Sequence, residues 1–287
     1  MSKKVAHLAT LCLALMMLSG CFAQTNIRLA TLESDEAMLL GEIMAQQLES
    51  AGLRVSRGTT FASMEELAEG MTNSSFELGV VFVQDTLTNL NIVGDELIFD
   101  PQLASEIIDD TFRDVYGFTA LFPWNIDASY SLFTPHNETN VVQLLTRPNL
   151  NLTAEASFFE GTGGLRHIEE LFELNLTNLY YVEAADALTL DGGNIDILAL
   201  RGTTASPFNQ VGAGFMLWPE NYALPIVDES TLEIVPEVNL LLSQISFLHT
   251  NQQNFIDELH DVRQGLATIE EAAASFLSNQ SGGLMRW

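Results

Sequence analysis

Apolar and polar positions fall into short blocks whose period switches along the chain. Asn26 to Thr31 reads as a first strand. Ser34 is placed to cap the helix that follows, and Asp35 and Glu36 suit the positive end of its dipole. Leu40, Met44 and Leu48 recur at i, i+4 and i+8, so this helix buries one face. Gly52 ends it, and Leu53 to Arg57 is a short second strand. Ser63-Met64-Glu65-Glu66 is a capping box opening another helix. Glu77 to Val83 is apolar almost without a break, as in a strand covered on both faces of a parallel sheet. Pro101 starts a helix and Gly117 stops it.

The same alternation resumes after residue 140. Val141 to Leu145 is helical and Leu150 to Ala154 a strand. Phe158 to Gly164 is a loop feeding a helix from Leu165 to Leu171. Leu179 to Val182 is a strand, Ala185 to Leu190 a short helix, Asp191 to Asn194 a turn, and Ile195 to Leu200 a strand. The C-terminal part is helical, with a second capping box at Thr268 to Glu271 and a tail, 281–287, that reads as frayed. Strands alternating with helices predict α/β architecture with right-handed crossovers.

Two stretches interrupt this order with rings beside polar groups, Leu121 to Phe133 and Trp218 to Val227. They read as two crossover segments joining two lobes, with a ligand cleft between. The expected division is 26–129 and 222–280 for lobe 1 and 130–221 for lobe 2. Ring faces at such a boundary suit an apolar or cationic small molecule.

The first residues change the picture. Lys3 and Lys4 precede the apolar run Leu8 to Leu18, which closes on Leu18-Ser19-Gly20-Cys21. Residues 1–20 therefore read as a signal peptide, whose apolar run is too short to span a bilayer. The closing tetrapeptide resembles a bacterial lipobox, implying cleavage before Cys21, lipid on its thiol and an extracytoplasmic, membrane-anchored location. The body after Cys21 has no cysteine and no lysine. Disulfides, thiolate metal sites, Schiff-base chemistry and a P-loop are excluded there. Nine arginines against 38 acidic residues give that body a net charge of −29 with neutral histidine. Such a surface repels nucleic acid and favours cations at long range; most of the acidity fits adaptation to a salty medium.

No GxSxG, HExxH or Walker sequence appears, so no enzyme, cofactor or metal is expected. His136, His167, His249 and His260 read as surface or satisfied polar residues. The last two would lie about 16 Å apart on one helix, too far to share a metal.

Several pieces, in order, resemble one family: Leu40 to Gln46, Pro123 to Leu132, Phe158-Phe159, Gly193 to Ile197 and Asn221 to Val227. Together they resemble the osmoprotectant-binding proteins of ABC importers, which take glycine betaine, choline and related quaternary amines. The resemblance runs thinly from Ile27 to Leu277. It implies a two-lobed periplasmic-binding-protein-like fold of type II, a cage of rings around a quaternary ammonium, and ABC permease subunits as partners. A quaternary ammonium donates no hydrogen bond, so ring faces replace its water at roughly 0.5–2 kcal/mol per contact.

Tyr130 matches the ring of the first crossover and Tyr222 that of the second. Trp124 and Trp218 are further ring candidates, and Asn221 flanks the second crossover. The family's lysine after the first strand is missing from Leu32 to Asp35, and its arginine after the double phenylalanine falls at Gly161. The loss of both weakens glycine betaine specifically and leaves open a carboxylate-free cation such as choline, with Asp35, Asp85 or Asp127 as its charge partner. The expected function is capture of a small compatible solute and its delivery to a permease. The alternative is an envelope lipoprotein of the same fold that acts as a sensor or interaction protein, or takes a different small solute.

Overall fold

The computed structural model describes residues 25–94, 96–138, 140–160, 163–212, 216–246 and 251–284. Cys21, His249 and residues 285–287 lie outside them. The first five strands lie in one sheet: β1 (Asn26–Leu32), β2 (Arg54–Phe61), β3 (Leu78–Phe82), β4 (Phe118–Ala120) and β5 (Trp124–Asp127). The next five lie in a second: β6 (Tyr130–Thr134), β7 (Asn151–Ala154), β8 (Asn178–Tyr181), β9 (Ile197–Arg201) and β10 (Asn209–Gln210). The eleventh, β11 (Tyr222–Asp228), returns to the first sheet.

The orders are β2-β1-β3-β11-β4, with β5 also on β11, and β10-β6-β9-β7-β8. Each sheet has a parallel part, β2-β1-β3 and β9-β7-β8, as the βαβ alternation predicts. Each also takes in antiparallel strands at the crossovers: β11 against β3, and β6 against β9. The sheets are therefore mixed, because the chain enters each lobe from the side it left.

In lobe 1, α1 (Asp35–Ser50), α2 (Met64–Thr72), α3 (Val83–Asn89) and α4 (Pro101–Tyr116) join the strands. Ser34 caps α1 through the amide of Ala37, and Gly52 takes the left-handed φ of +88° just past its end. Ser63 accepts from Glu66, whose carboxylate reaches back to the amide of Ala62. Asp100 caps α4 and Gly117 closes it in the left-handed region. All five residues of β3 are buried, since lobe 1 packs an apolar layer on each face of its sheet. One layer joins α1 to the C-terminal helices through Leu40, Met44, Leu242, Phe255 and Phe276. The other joins α2 and α4 through Leu67, Ile108 and Phe112.

Lobe 2 is built from shorter pieces: α5 (Val141–Leu145), α6 (Ala156–Glu160) and α7 (Leu165–Phe172). The start of the expected loop at Phe158 is helical, because Phe158 is wholly buried under the sheet and needs an ordered backbone there. The opposite face is covered only thinly, by Val182, Ala187, Leu198 and Leu200. After β11 come α8 (Glu229–Ile234), α9 (Glu237–Ser246), α10 (Asn251–Arg263) and α11 (Ile269–Leu284). The last is capped at Thr268 as expected and runs on to Leu284, into the stretch expected to fray.

The two crossovers are knitted together. Asp127 Oδ1 accepts from the amides of Ser129 and Asn221, both at 2.8 Å, and Ala128 N–H donates to the Asn221 carbonyl. Gly202 follows β9 and rests on this junction; a Cβ there would stand 2.6 Å from the Asp127 carbonyl oxygen. The Gln252 carboxamide from α10 accepts from Asp127 N–H and donates to the carbonyls of Asp127 and Gly202.

Candidate ligand-binding cleft

A cleft of about 370 Å³ opens between the lobes. It lies beyond the carboxyl ends of β3, β7 and β9, where α/β sheets hold their ligands. Gln84, Asp85 and Asn221 line it from the lobe 1 side, and Tyr130, Ser157, Arg201 and Trp218 from the other.

The aromatic wall belongs to the lobe 2 side. The Tyr130 ring meets Phe158 edge-on at 5.1 Å and Trp218 at 5.9 Å, and Phe158 and Trp218 are 6.0 Å apart. Burial pushes the Tyr130 phenol above its ordinary value. The buried Trp218 Nε1 has no hydrogen-bond partner among the described residues.

The lobe 1 wall is polar. Among the described residues no side chain caps α3 from its own N-terminus; Asn221 does so from the second crossover. Its Oδ1 accepts from Gln84 N–H at 2.8 Å, and its Nδ2 donates to Asp85 Oδ1 at 3.0 Å. The other Asp85 oxygen accepts from Arg201 Nη2 at 2.9 Å. Arg201 also lies 3.9 Å from Glu36 Oε1, which is buried and bonded by Arg263 Nη2 at 2.7 Å and Thr203 Oγ1 at 3.1 Å. Burial pushes the Glu36 carboxyl up, but Arg263 and Arg201 more than offset it and hold the group below the usual carboxylate value.

Four of the residues singled out in the sequence therefore line one cleft: Tyr130, Trp218, Asp85 and Asn221. The structure does not bring the others there. Trp124 is wholly buried in the lobe 1 core, its indole N–H donating to the Leu242 carbonyl at 3.1 Å. Tyr222 lines a separate groove on lobe 1, with Pro101 and Phe122, and its phenol is pushed up by burial and by a hydrogen bond to Glu220. Asp127 spends its oxygens on the crossover junction. Asp35 is half-buried at the start of α1, 3.8 Å from Arg263.

The cleft also holds Arg201, a basic side chain that the sequence did not single out. It went unseen because a lone arginine has no period. Its position at the carboxyl end of an apolar strand was the available signal. Among the described residues no group of three or more His, Cys, Asp or Glu side chains could hold a metal ion.

No family model matches the chain, and no curated protein matches it. Solved structures do. A glycine betaine/carnitine/choline ABC transporter protein superposes with a TM-score of 0.75 at 13% identity, over 89% of this chain and 98% of its own. The chain has the two-lobed fold of type II solute-binding proteins. Apo YehZ from Escherichia coli gives a TM-score of 0.65 at 16% identity, covering 90% of this chain and 99% of its own. Lactococcal OpuAC, closed on glycine betaine, gives 0.54 at 14% identity, covering 92% and 99%. At such identities the likeness speaks for the fold, and the ligand has to be argued from the cleft.

Proposed function

We propose that this protein is an extracytoplasmic solute-binding protein of an ABC importer, anchored through lipid on Cys21, that captures a small quaternary amine between its lobes and presents it to a permease. The observation that carries this reading is the cleft with two rings, Tyr130 and Trp218, on its lobe 2 side and Arg201 reaching from that side to Asp85 across it. Rings suit a cation that cannot donate hydrogen bonds. Among the described residues the Arg201 guanidinium makes one hydrogen bond, to Asp85, so most of its donors remain for an acceptor oxygen. That pairing favours a betaine-type zwitterion, ammonium on the rings and carboxylate towards Arg201, over choline. The solved structures bound to glycine betaine and to choline support the solute class by analogy of fold.

The test is calorimetric titration with glycine betaine, carnitine and choline, together with melting curves. Ligand at a hundred times its Kd stabilises the closed fold by about 2.7 kcal/mol. Glycine betaine is expected to bind at least tenfold tighter than choline, and Tyr130→Ala to weaken either by tenfold or more. Absence of binding by every quaternary amine sinks the solute assignment.

A further inference from the structure

Arg201 is anchored at the end of β9, and its side chain is 13% exposed. Its guanidinium carbon stands 5.3 Å from the centroid of the Phe82 ring. Nη2 is 2.9 Å from Asp85 and Nε 3.9 Å from Glu36. A ring face flanked by two carboxylates is what a solute cation would seek. Here the chain's own cation already holds that place, reaching across from lobe 2. A planar guanidinium suits the position, since it can lie against a ring while its fork faces two acids.

We propose that Arg201 is a tethered cation that fills the lobe 1 half of the cleft and so sets its charge selectivity: one solute cation is directed to Tyr130 and Trp218, and a second is excluded. The proposal deepens the solute-binding reading above and rests on this cleft being the solute site. It makes Arg201 a specificity-determining residue whose removal creates a site rather than only weakening one. In Arg201→Gln, Phe82, Asp85 and the space of the guanidinium become available to a free ammonium. Glu36 keeps Arg263 as its partner.

The experiment is titration with 1,4-diaminobutane at low salt, with circular dichroism melts confirming folding. Wild type is expected to bind the diamine at least tenfold more weakly than the best quaternary amine found. R201Q should bind it at least tenfold more tightly than wild type, and the double variant R201Q with D85N should lose that gain. R201K, which keeps the charge, should exclude the diamine like wild type. If R201Q does not fold, R201M, which keeps an apolar stem over Phe82, takes its place. Two results overturn the proposal: a folded R201Q or R201M that binds the diamine no better than wild type, or wild type that binds it within threefold of its best quaternary amine. The diamine gain is read against wild type with no quaternary amine present. It can therefore appear even if the quaternary-amine assignment fails, and that assignment can hold while the gain is absent.

Discussion

Each lobe buries a carboxyl beside the cleft, and the two are held in opposite ways. Glu36 of lobe 1 lies against two guanidinium groups, Arg263 at 2.7 Å and Arg201 at 3.9 Å, and titrates below its ordinary value. Glu155 of lobe 2 accepts from the Arg201 amide at 3.1 Å and from the Thr204 side chain, but among the described residues it makes no ion pair. Burial, the largest influence, pushes its carboxyl up, and the charge on Glu36 adds to the rise. Depth alone therefore does not decide whether a buried acid is charged. A guanidinium within contact tips the balance at Glu36, because a fixed opposite charge offsets the lost water where the hydrogen bonds at Glu155 fall short.

The strongest way to break this comparison is Glu36→Gln. Removing one partner of a buried ion pair strands the other, so E36Q is expected to lose about 3–5 kcal/mol near pH 7 by urea unfolding. The depressed carboxyl stabilises the fold fully above its unfolded value and loses that contribution as pH falls through the folded one. The gap between E36Q and wild type should thus close on acidification below the ordinary value of 4.5. A constant gap from pH 7 to pH 3 would mean that packing, and not charge, is what the substitution removes.

Glu155→Gln should act with the opposite sign and less strongly. A raised carboxyl costs stability once it ionises, so the penalty is absent below the unfolded value and complete above the folded one. E155Q keeps the acceptor and removes the charge. It should melt higher than wild type at pH 7 to 8 and match it near pH 4. A lower melting point at pH 7 would mean that Glu155 is paired in solution. The smallest effect is expected at Thr204, whose hydroxyl also accepts from Arg263 Nη1 at 3.1 Å. Thr204→Val should cost about 1 kcal/mol and raise the Glu155 carboxyl further, as read by carbon-detected NMR titration. An unchanged Glu155 titration would show that the hydroxyl does not support its charged form.

Lobe 1 was the more legible half. Its helices carry their own punctuation, as at Ser34 and Gly52 around α1 or Asp100, Pro101 and Gly117 around α4. Lobe 2 offered shorter signals, and the glycines after Phe159 disguised the turn of helix at Ala156 to Glu160. The polarity of β11 was unreadable, since an apolar run states burial and not direction. In the site, ring identity was visible but ring destination was not. Trp124 and Trp218 look alike as letters; one faces the lobe 1 core and the other meets Tyr130. Asp127 and Asn221 were singled out as ligand-binding candidates, but both are occupied chiefly in bonding backbone amides.

The Gln252 amide joins three places that are far apart in sequence: the end of β5, the residue after β9 and helix α10. Any movement of one lobe against the other passes through these bonds, which tie the junction to the C-terminal helices packed on lobe 1.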